Sequence, residues 1–268
     1  MEIQTELQGK EQRGIKVPQI TFIFWIIKIM ATTVGETAAD VLNFNLSWGL
    51  TNTTFVMLAL FLTALLFQVV SPTYVPAKYW LTVLLVSVVG TLITDNLVDQ
   101  FGVPLEVTTL VFAIALALTF VLWRKKEGTL DIHFITTRRR EMLYWLTILL
   151  TFALGTAAGD WVSESLNVGY LLSAVLFGAI IGIITTAYVH LKFNAVLAFW
   201  AAYIVTRPLG ASLGDYLTQP KAQGGLNMGT TEISLFFIVV ILFLILYLSK
   251  SPKLVVSTLE KEDEHESL

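Results

Sequence analysis

Four carboxylates recur at one spacing. Asp40, Asp95, Asp160 and Asp215 each stand fifteen residues after a tryptophan (Trp25, Trp80, Trp145, Trp200) and five after a glycine (Gly35, Gly90, Gly155, Gly210). Carboxylates at one level of an apolar surrounding are hard oxygen ligands suited to Mg, Ca or Mn, and a ring of them concentrates cations. Asp99 and Glu164, each four residues beyond one of these aspartates, add acid at the same level. Glu36 follows the first glycine where the other copies have Thr91, Thr156 and Ala211, and it closes the polar run Thr32-Thr33-Val34-Gly35. An ionisable residue in such a stretch is a functional candidate that needs a partner. Arg207 is seven residues past its tryptophan and Glu36 eleven past its own, a height difference of about 6 Å on helices. Arg207 is therefore expected to meet Glu36 or Asp40, either as a fixed salt bridge or as a charge pair that competes with a cation or proton. Lys28 lies about 12 Å below Glu36 on the same helix, too far for a direct bond, and either snorkels to the interface or turns inward. The candidate ion path is thus Glu36, Asp40, Asp95, Asp160, Asp215, Thr32, Thr33, Lys28 and Arg207, with Glu36 and the four aspartates as metal ligands.

The elements that must position these residues follow from composition. The chain of 268 residues is 55% hydrophobic and 14% charged, with a mean hydropathy of +0.73. These values indicate an all-α integral membrane protein. Eight apolar segments, 18–42, 53–71, 78–98, 105–123, 141–162, 167–189, 195–216 and 229–249, each approach the roughly 20 residues that a crossing helix needs. They lack the dyad alternation of barrel strands. Lysines and arginines gather in the tails and after even-numbered segments (Lys78, Arg124-Lys125-Lys126, Arg138-Arg139-Arg140, Lys192, Lys250), whereas loops after odd-numbered segments hold only Lys221. The positive-inside rule then places both termini in the cytoplasm. The expected organisation is an N-terminal tail (1–17), membrane repeats one and two (18–123), a basic cytoplasmic loop (124–140), repeats three and four (141–249) and a C-terminal tail (250–268).

Each repeat is a pair of helices, and an even number of crossings returns the chain to its starting side. The four copies are therefore parallel, arranged as a pseudo-fourfold bundle or as two pseudo-twofold halves. The tryptophans, at the cytoplasmic ends of their helices, are expected to form an interfacial aromatic belt, with packing against a neighbouring repeat as the alternative. The glycines, about 15 Å further along, should let helices approach closely, the more so in Gly155-x3-Gly159 and Gly210-x3-Gly214. The aspartates are expected at helix C-termini, against the helix dipole. Thr53-Thr54, Thr108-Thr109 and Thr230-Thr231, with Ser173-Ala174 in repeat three, read as N-caps of the second helices or as hydroxyls along a polar path. Pro208 should break or kink its helix and free carbonyls for an ion.

With Phe24-Trp25, Lys28, Thr32-Thr33, Gly35-Glu36 and Asp40 in the first copy and Thr206-Arg207-Pro208-Leu209-Gly210 in the last, the chain resembles a bacterial family of membrane-anchored proteins. That family is built from four tandem two-helix units named only as a "repeat of unknown function". The resemblance runs from about Lys16 to Tyr247 and implies an eight-helix, multi-pass protein of the bacterial inner membrane. It brings no activity.

The residues themselves favour a transporter of a small cation, divalent ions first and protons as candidates for coupling, with the lipid bilayer and the ion as partners. No cofactor and no nucleic-acid partner are expected. The absence of cysteine removes disulfides and thiolate chemistry. The lack of H-E-x-x-H, G-x-S-x-G or P-loop motifs argues against an enzyme. A scaffold or sensor without transport, and an organic-anion transporter using Lys28 and Arg207, are the alternatives.

Overall fold

The computed structural model describes residues 14–250; of the two expected tails, 1–13 and 251–268 lie outside the described residues. Eight α-helices follow in order: α1 Phe22–Asp40, α2 Leu50–Val70, α3 Pro76–Asp95, α4 Leu105–Glu127, α5 Arg138–Asp160, α6 Tyr170–Leu191, α7 Ala195–Thr218 and α8 Thr230–Lys250. All eight are long and apolar enough to cross a membrane, and no strand occurs among the described residues. Local chemistry sets the ends. Thr21, Thr137 and Asn194 accept backbone N–H bonds at the starts of α1, α5 and α7, Pro76 occupies the first turn of α3, and Gly128 ends α4 in the left-handed region at φ 76°.

Helical turns extend further into the 124–140 segment than expected. Arg124, Lys125 and Lys126 end α4, and Arg138, Arg139 and Arg140 begin α5. The carboxylate of Glu127 accepts from Arg140 Nε at 2.8 Å and from Arg139 Nε, while Ile132 and Ile135 of the connection are buried. The segment is packed as well as basic.

Odd-numbered helices form the interior. In their central stretches 56–61% of residues are buried, against 17–33% in the even-numbered helices. Sequence explains the difference, because the odd helices carry the repeated glycines and polar groups that need protein neighbours, whereas the even ones are nearly all apolar and suit lipid. The inner helices contact one another in a closed circuit, α1 on α3, α3 on α5, α5 on α7 and α7 on α1. Each outer helix lies against the inner helix of the following repeat: α2 on α3, α4 on α5, α6 on α7 and α8 on α1.

The repeated glycines make this circuit possible. A Cβ on Gly35 would run into Ser87, one on Gly90 into Phe152, one on Gly155 into Arg207, and one on Gly210 into Thr32. Ser87, Phe152, Arg207 and Thr32 each sit three residues before the glycine of their own helix. Every inner helix thus inserts the same position beside the glycine of its predecessor. Helix packing, the ordinary meaning of such glycines, is what they do here.

The tryptophans do not form the expected belt. Trp80, Trp145 and Trp200 are at most 4% exposed, and only Trp25 is half-buried. Phe24 meets Trp80, Tyr79 meets Trp145, Tyr144 meets Trp200 and Phe199 meets Trp25, with ring centroids 5.5, 5.6, 6.2 and 5.9 Å apart. These pairs follow the helix circuit and pave one end of the bundle as an aromatic floor. Contacts with the aromatic residue of the neighbouring helix favour the inward position of the buried indoles, and such ring contacts contribute about 0.5–1.5 kcal/mol each beyond area burial.

Candidate functional site

Arg207 lies on α7 with no exposure to solvent. Its Nη2 donates to Glu36 Oε2 on α1 at 3.0 Å, to Thr156 Oγ1 on α5 at 2.7 Å and to Thr91 Oγ1 on α3. Nη1 donates to the Thr32 carbonyl at 3.3 Å, and Nε has no acceptor. One guanidinium therefore ties all four repeats. Its acceptors Glu36, Thr91 and Thr156 share a single position, the residue after the repeated glycine; the fourth copy has Ala211 there, which leaves the space to the arginine. The pairing of Arg207 with Glu36 agrees with their heights along α7 and α1. Thr91 and Thr156 escaped sequence reasoning as site residues. Their signal was present, because they align with Glu36, but a threonine in an apolar helix rarely stands out.

The four aspartates lie beyond this layer, away from the aromatic floor. Asp215 is 6% exposed, and Asp40, Asp95 and Asp160 are half-buried. Glu36 is within electrostatic reach of all four. Arginine pairs with Glu36 alone among these acids, and no ion pair among the described residues engages any of these four aspartates. Among those residues, no three histidine, aspartate or glutamate side chains form a group able to hold a metal ion. Glu36, Asp40, Asp95, Asp160 and Asp215 thus share one end of the bundle without forming a ligand cage.

Three of the inner α-helices end on their aspartate as expected, and α7 does not. After Asp40, Asp95 and Asp160 the chain continues as π turns, Val41–Asn45, Asn96–Gln100 and Trp161–Ser165, whereas α7 runs past Asp215 as α-helix to Thr218. No aspartate is the terminal residue of its helical run, so the expected conflict with the helix dipole is displaced by about a turn. Single π turns inside helices are common at functional sites, and here three of them mark the residues just after the acids.

Lys28 neither snorkels nor reaches an acid. Its ammonium is fully buried, with Nζ 4.2 Å from the Tyr203 ring centroid and 4.4 Å from that of Phe152. It has no hydrogen-bond acceptor. The Phe152 ring also lies 5.7 Å from the Arg207 guanidinium. Toward the floor, the Tyr79 and Tyr144 hydroxyls bond to each other, and the Tyr203 hydroxyl has no partner. At the floor end, outside the spans, burial pushes the Tyr74 phenol above its ordinary pKa.

The remaining candidates play backbone roles. Thr32 Oγ1 donates to Ile29 O at 2.6 Å and to Thr206 O at 3.3 Å, and Thr33 Oγ1 donates to Ile29 O at 3.3 Å. Thr54 and Thr108 lie inside their helices and donate to Leu50 O and Pro104 O, so neither is an N-cap. Buried hydroxyls recur on the outer helices at Thr53, Thr108, Ser173 and Ser234. The fourth was expected at Thr230-Thr231, but the longer connection before α8 shifts the register, and Ser234 donates to Thr37 at 2.7 Å. Pro208 does not break α7, which is continuous through it. At the floor end Lys16 is buried, with Nζ 2.7 Å from both Glu141 Oε2 and Val69 O.

No curated protein and no solved structure matches this chain. A family described as "Repeat of Unknown Function (DUF347)" matches it four times, at residues 23–74, 78–129, 143–193 and 198–253. Each match begins within two residues of an aromatic-Trp pair and spans one inner and one outer helix. Four such units cover most of the sequence, and the chain belongs to that family of tandem two-helix repeats.

Proposed function

We propose that the protein transports a small cation, divalent ions foremost, across a bacterial inner membrane, with the aspartate end facing outward and the aromatic floor and both termini in the cytoplasm. On this reading the repeats stand around a pseudo-fourfold axis along the membrane normal, a reading that the closed circuit of inner helices supports. The observation that carries the function is the Arg207–Glu36 pair at the base of the acid cluster. A guanidinium there stands in for a metal ion, taking one carboxylate and two hydroxyls as acceptors. An ion arriving from the acid end competes with Arg207 for Glu36. The aspartates act as an electrostatic funnel for a hydrated ion, and the absence of a preformed cage suits an ion that must leave as readily as it enters. Because only one repeat supplies the arginine and only one the glutamate, there is a single site, in keeping with alternating access.

The test is uptake into liposomes of Mn, Mg and Ca ions, compared with Na and K ions and with small carboxylates. Divalent uptake is expected, with a loss of at least about tenfold in Glu36→Gln while the protein stays folded. Equal uptake by wild type and Glu36→Gln overturns the reading. Uptake of carboxylates in place of cations favours instead an organic-anion transporter, for which the buried Lys28 ammonium without an acceptor is the supporting observation.

A further inference from the structure

The segment before α1 carries a buried ion pair that the ion path does not use. Residues 14–21 have no regular secondary structure, yet Lys16, Val17 and Pro18 are buried. Lys16 Nζ donates at 2.7 Å both to Glu141 Oε2, in the first turn of α5, and to Val69 O, near the end of α2. The backbone is tied as well: Gln68 Nε2 donates to Lys16 O at 3.2 Å, and Tyr74 N donates to Ile15 O at 3.1 Å. The Tyr74 ring lies 5.7 Å from that of Tyr79, which meets Trp145 in the aromatic floor, and Val17 joins the same apolar cluster. The strap thus runs from α1 past the foot of α3 to α5, the helix opposite α1 in the closed circuit.

We propose that residues 14–20 are a latch on the floor end, docked in this structure and released to let the transported ion leave; this rests on the cation reading above. The acids lie at one end of the bundle and the aromatic floor closes the other, so passage requires the floor to part. The strap holds it shut, because it ties the α2–α3 connection of the first half, through Tyr74, to α5 of the second half, through Glu141. The nature of the tie suits a contact that opens. Burying two opposite charges sacrifices the hydration of both, so a buried ion pair gains little over apolar side chains of the same volume. Release returns both groups to water and recovers that hydration. The remaining polar ties are hydrogen bonds that water replaces once the strap lifts. Little apolar surface opposes the movement, since Val17 and Pro18 are buried whereas Ile15 is exposed. Such a contact holds a closed state without trapping it, as a two-state gate must.

A disulfide can pin the strap. A Cβ on Gly14 would lie 3.7 Å from Thr73 Cβ, within the roughly 3.5–4.5 Å that separates the β-carbons of a disulfide, and the natural chain has no cysteine. Manganese(II) uptake into liposomes by the full-length double variant Gly14→Cys with Thr73→Cys is expected to be lost on oxidation and restored by reduction, while each single variant responds to neither. Equal uptake by the oxidised and reduced double variant, with the disulfide confirmed by mass spectrometry, overturns the proposal. Should the reduced double variant itself be inactive, trypsin decides with the wild type in detergent. Cleavage after Lys16 is expected to quicken when manganese(II) is added, because an undocked strap exposes that bond, and an unchanged rate overturns the proposal. A wild type that takes up no manganese overturns the cation reading and this proposal together, an outcome distinct from the other two.

Discussion

Arg207 concentrates the consequences of one substitution. Removing it leaves Glu36 buried with no ion-pair partner, and breaking a buried pair in this way typically costs about 3–5 kcal/mol. Arg207→Met is expected to lower the unfolding midpoint in detergent accordingly, whereas the double variant Glu36→Gln with Arg207→Met is expected to recover a large part of the loss, because no charge then remains without its partner. Additive losses in that cycle would mean that the two side chains act independently. Arg207→Lys is expected to behave nearly as badly as methionine. One ammonium lacks the planar fork with which the guanidinium reaches Glu36, Thr91, Thr156 and the Thr32 carbonyl together.

The inner helices depend on their glycines, and the outer ones do not. Valine at Gly35 or Gly210 has to push Ser87 or Thr32, with backbone atoms of the neighbouring helix only 3.0 Å from the new Cβ. Overpacking of this kind costs about 1–3 kcal/mol. Valine at Gly178 or Gly182 of α6, where nothing lies within 4 Å, is expected to leave stability within about 0.5 kcal/mol of wild type. Thermal unfolding of the four variants checks the contrast, and equal effects at inner and outer positions would refute the packing role. At the floor, Glu141→Gln removes the charge that faces Lys16 and is expected to make the segment before α1 more accessible to proteases, since the lysine is then held by the neutral bonds from its Nζ to the Val69 carbonyl and from Gln68 Nε2 to its own carbonyl.

Orientation and closure belong to the whole molecule. The chain has no cysteine, so single-cysteine variants report position without a background. Cysteine at Gln100, beside the acids, is expected to react with a membrane-impermeant maleimide in intact cells. Cysteine at Phe134, exposed at the floor end, is expected to react only after permeabilisation. The reverse pattern would invert the molecule and place the acid cluster in the cytoplasm. Closure rests on α8, which returns to α1 and lets Ser234 bond to Thr37. A chain truncated before Thr230 is expected to lose detergent stability even though it keeps all four aspartates, because α1 then loses its outer cover.

Much of this architecture is readable along one dimension. Apolar length gives eight spans, and the constant offsets from tryptophan to glycine to aspartate give four copies of one unit, because helical rise converts equal spacing into equal height. Height also brings Arg207 within reach of Glu36 or Asp40, and the closed circuit chooses Glu36. What height cannot supply is azimuth. Whether Trp80 faces lipid or a tyrosine, whether Lys28 turns to the interface or between two rings, and which helix each glycine admits depend on how the helices rotate and on who their neighbours are. The π turns after three aspartates and the shift from Thr230-Thr231 to Ser234 are likewise invisible in spacing, since each arises where a loop of particular length meets packed helices. Local sequence determines what lies at each level of the membrane; the closed circuit of helices decides which of those groups meet.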